Sequence, residues 1–160
     1  MVPSETTAYP AAVPDVLIAA DAPWVREEVR SVLSGLPDVT IREVESGTAV
    51  IESVEEEEPD LVILDFQIGN MGAVAVTLEL RLEESADRLE HVPVLVLVDR
   101  RPDVFLARRS DAEGWLVKPL DPIRLRKAAT ALLAGGTYYD DSYLPQPVLA
   151  SPAAAAAAEA

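Results

Sequence analysis

The chain has 160 residues, of which 49% are hydrophobic, and a formal net charge of −15. This length and apolar content suit one domain with a sizeable core. The strong negative charge argues against nucleic-acid binding as the main task, and the absence of cysteine excludes disulfides and thiolate chemistry. No segment approaches the ~18 apolar residues of a membrane span, and residues 1–14 lack the features of a secretory signal. We therefore expect a cytoplasmic protein that contacts no membrane.

Apolar runs alternate with helical patterns along the chain. Strands are predicted at residues 16–20, 39–44, 61–64, 94–98 and 114–117. Apolar residues at three- and four-residue spacing predict helices that begin near Pro23, Ser46, Ala73, Pro102 and Asp121. This (βα)5 order predicts an α/β fold: a three-layer doubly wound sandwich, flavodoxin-like, with a parallel five-stranded sheet of order 2-1-3-4-5. The second strand looks least buried, which favours placing it at the edge.

The predicted domain covers residues 15–134. Residues 1–14 are predicted to be a disordered N-terminal extension. Residues 135–160 are rich in Pro, Asp, Tyr and Ala, with six alanines at 153–158, and are predicted to be a disordered tail. The sequence leaves open whether Tyr138 and Tyr139 dock this tail onto the domain.

Three charged residues follow strands that end at the same edge of the predicted sheet. Asp21 comes after the first strand, Asp65 ends the third, and Lys118 follows the fifth. The order 2-1-3-4-5 makes Asp21 and Asp65 neighbours. Two close carboxylates resist ionising unless a cation shares the site, and Mg²⁺ is the usual cation. A nucleophilic Asp, a divalent ion and a fixed ammonium are what phosphoryl transfer to a carboxylate requires.

Four short motifs lie at these strand ends: Ala20-Asp21-Ala22-Pro23, Leu64-Asp65 with Gly69-Asn70-Met71, Val92-Pro93-Val94, and Trp115-Leu116-Val117-Lys118-Pro119. In this order the chain resembles the response-regulator receiver domain of two-component signalling over roughly residues 15–134. The resemblance implies that Asp65 accepts a phosphoryl group and that Lys118 pairs with its oxygens. It also implies Mg²⁺ ligands in Asp21, Asp65 and the backbone carbonyl of Gln67, and a cis Lys118–Pro119 bond. By the same resemblance the protein is no enzyme beyond self-phosphorylation and self-dephosphorylation.

The chain departs from the family at several positions. Ala20 stands where receivers usually have a second acid, which should weaken Mg²⁺ binding. The switch positions are degenerate: Val98 stands where the family has Ser or Thr and cannot donate a hydrogen bond, and Asp99 follows with a charge that could repel a phosphoryl group. Trp115 replaces the usual Tyr or Phe. The acceptor and the lysine are kept, but the readout is altered, which makes this an atypical receiver.

Two functions remain open from the sequence. The first is a stand-alone response regulator, phosphorylated on Asp65 by a histidine kinase or phosphotransfer protein and signalling by protein contact. The second is a pseudo-receiver interaction module that works without phosphorylation. Residues 99–127 hold 8 bases against 5 acids, so the fourth- and fifth-helix face is predicted to contact a downstream protein or a second copy in a homodimer.

An enzyme on the same architecture is disfavoured. A haloacid-dehalogenase-like phosphatase needs an acid two residues after its nucleophile, and Gln67 stands there. A flavodoxin-like FMN site would need a Thr/Ser/Gly-rich phosphate loop after the first strand, which Asp21-Ala22-Pro23 is not.

Overall fold

The structure, a computed structural model, describes residues 12–144. Its strands are β1 (Asp15–Ala19), β2 (Thr40–Val44), β3 (Leu61–Asp65), β4 (Val94–Val98), β5 (Gly114–Val117) and β6 (Tyr138–Tyr139). Its helices are α1 (Pro23–Leu33), α2 (Gly47–Glu56), α3 (Ala73–Ser85), α4 (Val104–Arg109) and α5 (Pro122–Leu133), with a 3-10 turn (Arg101–Asp103) before α4. None of the helices in this range has the length and apolar composition that crossing a bilayer requires.

The strands form a parallel sheet in the order β2-β1-β3-β4-β5-β6. The predicted doubly wound α/β fold and the order of the first five strands are therefore confirmed. The predicted number of strands was wrong by one, because β6 extends the sheet beyond β5. Since the strands are parallel, their carboxyl ends all lie at one edge of the sheet.

Helices cover both faces of this sheet. On one face, α1 and α5 pack against alternate strand residues that include Val16, Ile63 and Leu97. On the other face, α2, α3 and α4 pack against the intervening residues, which include Leu17 and Leu64. All residues of β3 and β4 are buried. This packing on both faces fixes the positions of the carboxyl ends of β3 and β4.

Two helices begin at the caps that the sequence predicts. The Ser46 hydroxyl accepts a hydrogen bond from the Ala49 amide at 3.2 Å at the start of α2. At the start of α5, Asp121 Oδ1 accepts from the amides of Ile123 and Arg124 at 2.8 and 2.9 Å. These bonds satisfy amide groups that lack a partner within the helix.

The chain beyond α5 differs from the predicted disordered tail as far as residue 144. Gly135 has a φ of 83°, and the Gly136 amide donates to the Ala131 carbonyl at 2.8 Å. This Schellman turn reverses the chain after the helix. The Tyr138 amide then donates to the Glu113 carbonyl at 3.1 Å, which begins the pairing with β5.

Two further contacts hold β6 against β5. The Asp140 amide donates to the Trp115 carbonyl at 3.1 Å, and the Asp140 carboxylate accepts from the Val117 amide at 2.9 Å. The backbones approach so closely that a Cβ atom at Gly114 would lie 2.6 Å from the Tyr138 carbonyl oxygen. Glycine is therefore required at residue 114. The other segments predicted to be disordered, residues 1–11 and 145–160, lie outside the described residues.

Candidate functional site

Asp65 is the last residue of β3 and lies at the centre of the sheet's carboxyl edge, opposite Leu97 of β4. Its side chain is almost fully buried, and Oδ1 accepts hydrogen bonds from Lys118 Nζ at 2.8 Å and from the Gln67 amide at 3.5 Å. No residue within 12–144 donates to Oδ2, and this oxygen is not among the buried side-chain atoms closed off from solvent. One oxygen of Asp65 is thus fixed, while the other is free to react.

Lys118 follows β5 and points back into the site. Its amide donates to the Val98 carbonyl at 2.8 Å, and the Lys118–Pro119 bond is cis, as the resemblance implies. Its Nζ lies 2.8 Å from Asp65 Oδ1 and 3.0 Å from Asp99 Oδ1. Burial by itself lowers the pKa of Lys118, but the hydrogen bonds to the two carboxylates more than offset burial, and its pKa is raised above the usual value. The ammonium therefore stays charged at neutral pH.

The residue that β4 delivers to this ammonium is Asp99. The sequence analysis placed the position of the family hydroxyl at Val98, but the Val98 side chain is fully buried in the core on the face of α2, α3 and α4. Successive strand residues point to opposite faces, so Asp99 shares the face of Asp65 and Lys118. Arg100, which could have compensated the Asp99 charge, pairs instead with Asp103 at 3.1 Å.

Asp21 lies after β1 with an exposed side chain. Its Oδ2 lies 3.7 Å from the position that a Cβ atom at Gly69 would take, so the carboxylate is next to the loop that follows Asp65. The neighbouring residue Ala20 is buried. The structure thus brings Asp21 to the same edge of the sheet as Asp65. Asp21 lies next to the loop that follows Asp65.

The N-terminus of α2 holds the loop after β3 in place. The amides of Gly47 and Thr48 donate to the carbonyls of Gly69 and Asn70 at 3.0 and 3.1 Å. A Cβ atom at Gly47 would lie only 1.8 Å from the Met71 carbonyl oxygen, so this contact requires glycine. The loop that carries Gln67 is consequently a fixed part of the site.

Arg26 is a residue of the site that the sequence analysis missed. Its guanidinium donates to the carbonyl oxygens of Ala20 at 2.5 Å and Asp21 at 3.1 Å, and to the Glu45 carboxylate at 3.1 Å. A positive charge therefore lies against the backbone of Ala20 and Asp21. An Arg four residues into a helix carries no sequence signal for this contact.

The residues present fit a magnesium ion. Within residues 12–144 there is no group of three or more His, Cys, Asp or Glu side chains that could hold a metal. The assigned ligands are two carboxylates, Asp21 and Asp65, and the Gln67 carbonyl. All three are hard oxygen donors, and Mg²⁺ binds proteins through one or two carboxylates while keeping several waters. The free Oδ2 of Asp65 suits a cation, and the small donor set suits one that is weakly held.

Trp115, the third switch position, is fixed by packing. Its ring stacks on Tyr139 of β6 with centroids 4.4 Å apart, and the Arg108 guanidinium lies 5.4 Å from its centre. The side chain is almost fully buried, and the indole Nε1 has no hydrogen-bond partner among the described residues. Trp115 is thus held between β6 and α4.

The fold and the site define a class of protein: a doubly wound α/β domain that gathers an acid and a lysine at the switch point of a parallel sheet, where such folds bind ligands. The model of the response regulator receiver domain family matches residues 16–130, and the chain belongs to this family. The chain is therefore a receiver domain of a response regulator in two-component signalling.

Relatives with known sequences or structures agree with this. The nitrate/nitrite response regulator protein NarL of Escherichia coli (strain K12) is 30% identical over 131 residues, which cover 81% of this chain and 59% of NarL. The response regulatory protein Rv3143 of Mycobacterium tuberculosis (strain ATCC 25618 / H37Rv) is 33% identical over 123 residues, which cover 74% of this chain and 90% of that protein. The isolated REC domain of RcsB from Salmonella enterica serovar Typhimurium has the same fold, with a TM-score of 0.70 at 22% identity, covering 81% of this chain and 94% of that one.

Proposed function

We propose that this receiver accepts a phosphoryl group on Asp65 from the phosphohistidine of a histidine kinase or phosphotransfer protein. The observation that carries the proposal is the state of the Asp65 carboxylate: Oδ1 is bound to Lys118 Nζ at 2.8 Å, and Oδ2 has no partner among the described residues. A nucleophile needs one reactive atom that is accessible and held in a fixed direction.

The chemistry follows from this arrangement. Asp65 Oδ2 attacks the phosphorus atom, a new P–O bond forms, and the P–N bond to the donor imidazole breaks. The transferred group carries its negative charge on three equatorial oxygens in the transition state. The Lys118 ammonium is already positioned at the carboxylate and stabilises that charge without reorganisation.

A magnesium ion would be held by Asp21, Asp65 and the Gln67 carbonyl. When bound, it supplies positive charge next to the phosphoryl oxygens. Asp21 is exposed and able to reach such an ion, while the Arg26 guanidinium at its backbone carbonyl reduces the net negative charge of the site. Because Ala20 provides no second carboxylate there, we propose a weak magnesium site.

The output of the receiver is proposed to be protein contact through the basic face of α4 and α5. The two helices pack on opposite faces of the sheet, and both contact its β5 strand. Arg108 and Arg109 of α4 and Arg124 and Lys127 of α5 are exposed, and Phe105 of α4 is 58% exposed. Arginine and aromatic side chains are enriched at protein interfaces. A second copy of the chain is the other partner that this face suits.

Phosphorylation is tested with acetyl phosphate and Mg²⁺, followed by intact mass spectrometry. The expected result is one phosphoryl adduct on the wild-type protein and none on Asp65→Asn. The control is Asp111→Asn, which removes an equal charge from an exposed loop position and should leave the adduct unchanged. Either no adduct on the wild type or an adduct that persists in Asp65→Asn contradicts the proposal.

The second candidate function is a pseudo-receiver that binds its partner without phosphorylation. It is favoured by one observation, namely that Lys118 already has a second anion, Asp99, at 3.0 Å. A pull-down with the partner protein separates the two functions. Binding that is equal for wild type and Asp65→Asn, with and without acetyl phosphate, would favour the pseudo-receiver.

A further inference from the structure

We propose that Asp99 is a resident anion that competes with the phosphoryl group for Lys118 and thereby slows phosphorylation of Asp65. This inference rests on the proposed function, since it concerns the same acceptor. Asp99 contacts Lys118 and not the reacting atoms, so it would act on the rate of phosphorylation through the position and charge of Lys118.

The strand register places Asp99 next to the site. Asp65 of β3 is paired with Leu97 of β4, and Leu97 is paired with Leu116 of β5. Asp99 and Lys118 each follow two residues later, so they lie side by side on the same face as Asp65. The side chain of Asp99 is about two-thirds buried. Its carboxylate is therefore part of the site and not a solvated surface charge.

The charges of the site do not balance. A single ammonium, Lys118, contacts two carboxylates, and Asp99 Oδ2 is buried and receives no hydrogen bond from any residue in 12–144. A buried carboxylate oxygen without a donor carries a desolvation cost that no hydrogen bond offsets. The neighbouring cation does not relieve it, because Arg100 is engaged with Asp103.

A phosphoryl group on Asp65 adds negative charge to this pocket. Its oxygens need the same ammonium that Asp99 holds, and they lie next to a fixed like charge. Like charges placed together at a recognition site are strongly unfavourable. Asp99 directly follows β4. Its negative charge therefore opposes both the approach of an anionic phosphoryl donor and the transfer of the phosphoryl group to Asp65.

A different role for Asp99 is to orient Lys118 through their hydrogen bond. The two roles predict opposite effects of the same variants. Asp99→Asn keeps an oxygen acceptor for Lys118 but removes the charge, and Asp99→Ala removes both. Competition predicts that both variants are phosphorylated faster than the wild type, whereas orientation predicts that Asp99→Ala is slower and Asp99→Asn is nearly unchanged.

The experiment is a time course of adduct formation with acetyl phosphate and Mg²⁺ for the wild type, Asp99→Asn, Asp99→Ala and Asp99→Glu. We expect Asp99→Asn to react about tenfold faster than the wild type. Asp99→Glu, which keeps the charge, should remain slow. Asp111→Asn is the matched control, since it makes the same change of net charge at an exposed position and should react at the wild-type rate.

Ionic strength distinguishes the local charge of Asp99 from the net charge of the surface. Salt screens distant surface charges strongly and close, partly buried pairs only weakly. The faster reaction of Asp99→Asn relative to the wild type should therefore persist between about 0.05 and about 0.5 M KCl, whereas a difference caused by the net charge of the surface would disappear. Loss of the rate difference at high salt overturns the competition.

The failure of this inference differs from failure of the proposed function. Adducts that depend on Asp65 and form at equal rates in wild type and Asp99→Asn overturn the competition and leave the phosphoacceptor intact. No adduct on any variant overturns both. An adduct on Asp99→Asn but barely on the wild type supports both and identifies Asp99 as the cause of the low reactivity.

Discussion

The carboxylates at the amino ends of β4 and β5 are fully paired, whereas those at the carboxyl ends are not. At the amino ends, the Arg81 guanidinium binds both oxygens of Glu113 at 2.6 and 2.8 Å and Glu84 at 2.5 Å. The His91 ring contacts Glu84 at 3.0 Å and Glu113 at 2.9 Å. The Val94 amide also donates to Glu113 at 2.7 Å. Every carboxylate oxygen of this network has a partner.

At the carboxyl ends, the corresponding groups are left incomplete. Two carboxylates share one ammonium, Asp65 keeps a free oxygen, and Asp99 keeps a sealed oxygen with no donor. The comparison teaches that the same sheet has fully paired carboxylates at its amino edge and incompletely paired ones at the edge where we propose that phosphorylation occurs. Incomplete hydrogen bonding at a buried site marks function more clearly than the number of charges does.

The largest expected effect comes from opening the closed network. Arg81→Met removes the cation shared by Glu84 and Glu113 and leaves two mostly buried carboxylates without their strongest partner. We expect the free energy of unfolding to fall by about 3 kcal/mol, measured by urea titration. Arg88→Met is the control: its pair with Glu83 is largely exposed on the arginine side, so its loss should destabilise the fold far less than the loss of Arg81. Equal effects of the two variants would remove the distinction between the ends.

A matched pair of neutralised acids tests the comparison directly. Glu113→Gln loses a charged acceptor of Arg81 and Val94 and should destabilise the fold by about 2 kcal/mol. Asp99→Asn removes an acid that lacks a full set of partners, so its stability should lie within about 0.5 kcal/mol of the wild type or above it. Thermal and urea unfolding of both variants decide the matter. If Asp99→Asn lowered the free energy of unfolding as much as Glu113→Gln, the carboxylates at the carboxyl end would be as well paired as those at the amino end.

The smallest effect is a change of stability with pH to which the carboxyl end contributes through Lys118. Burial by itself lowers the pKa of Lys118, but the hydrogen bonds that its ammonium donates to Asp65 and Asp99 outweigh burial and raise the pKa. Its contribution to stability is thus complete below the unfolded-state pKa of about 10.4 and is lost as the pH rises through the folded-state pKa. Unfolding at alkaline pH should be less steep in pH for Lys118→Met than for the wild type.

One other group acts in the same alkaline range. Burial raises the pKa of Tyr138, so its neutral form stabilises the fold and this contribution also declines as the pH rises. The comparison is therefore made in a Tyr138→Phe background. A pH dependence that persists unchanged in Lys118→Met within this background would contradict the assignment to the lysine.

Most of the fold follows from the sequence because its signals are local and repeated. Apolar runs and helical spacing alternate five times, and caps such as Asp121 mark helix starts within one residue. The meeting of Asp65 and Lys118 is also predictable, since a parallel doubly wound order places both at one edge. These predictions require only the order and direction of the strands, and the alternation of strands and helices determines both.

The contacts that the sequence did not predict depend on register and tertiary packing. The sequence analysis named both Val98 and Asp99 as switch positions but could not say which of them contacts Lys118, because strand alternation decides which side chain faces Asp65. The two residues of β6 are too few to show periodicity, and they are held by the carboxylate of Asp140 and by stacking of Tyr139. Such contacts join residues that are distant in sequence, and the local sequence around either residue does not predict them.

The short strand β6 also changes how this sheet meets other molecules. Without it, the four residues of β5 would form an open edge onto which a strand of another chain could add. With it, the terminal strand offers only two residues for such addition, and the opposite edge, β2, carries the charged side chains of Arg42 and Glu43. Both borders are thus poor templates for lateral growth, so this acidic, cysteine-free chain should resist the edge-to-edge aggregation to which exposed β-strands are prone.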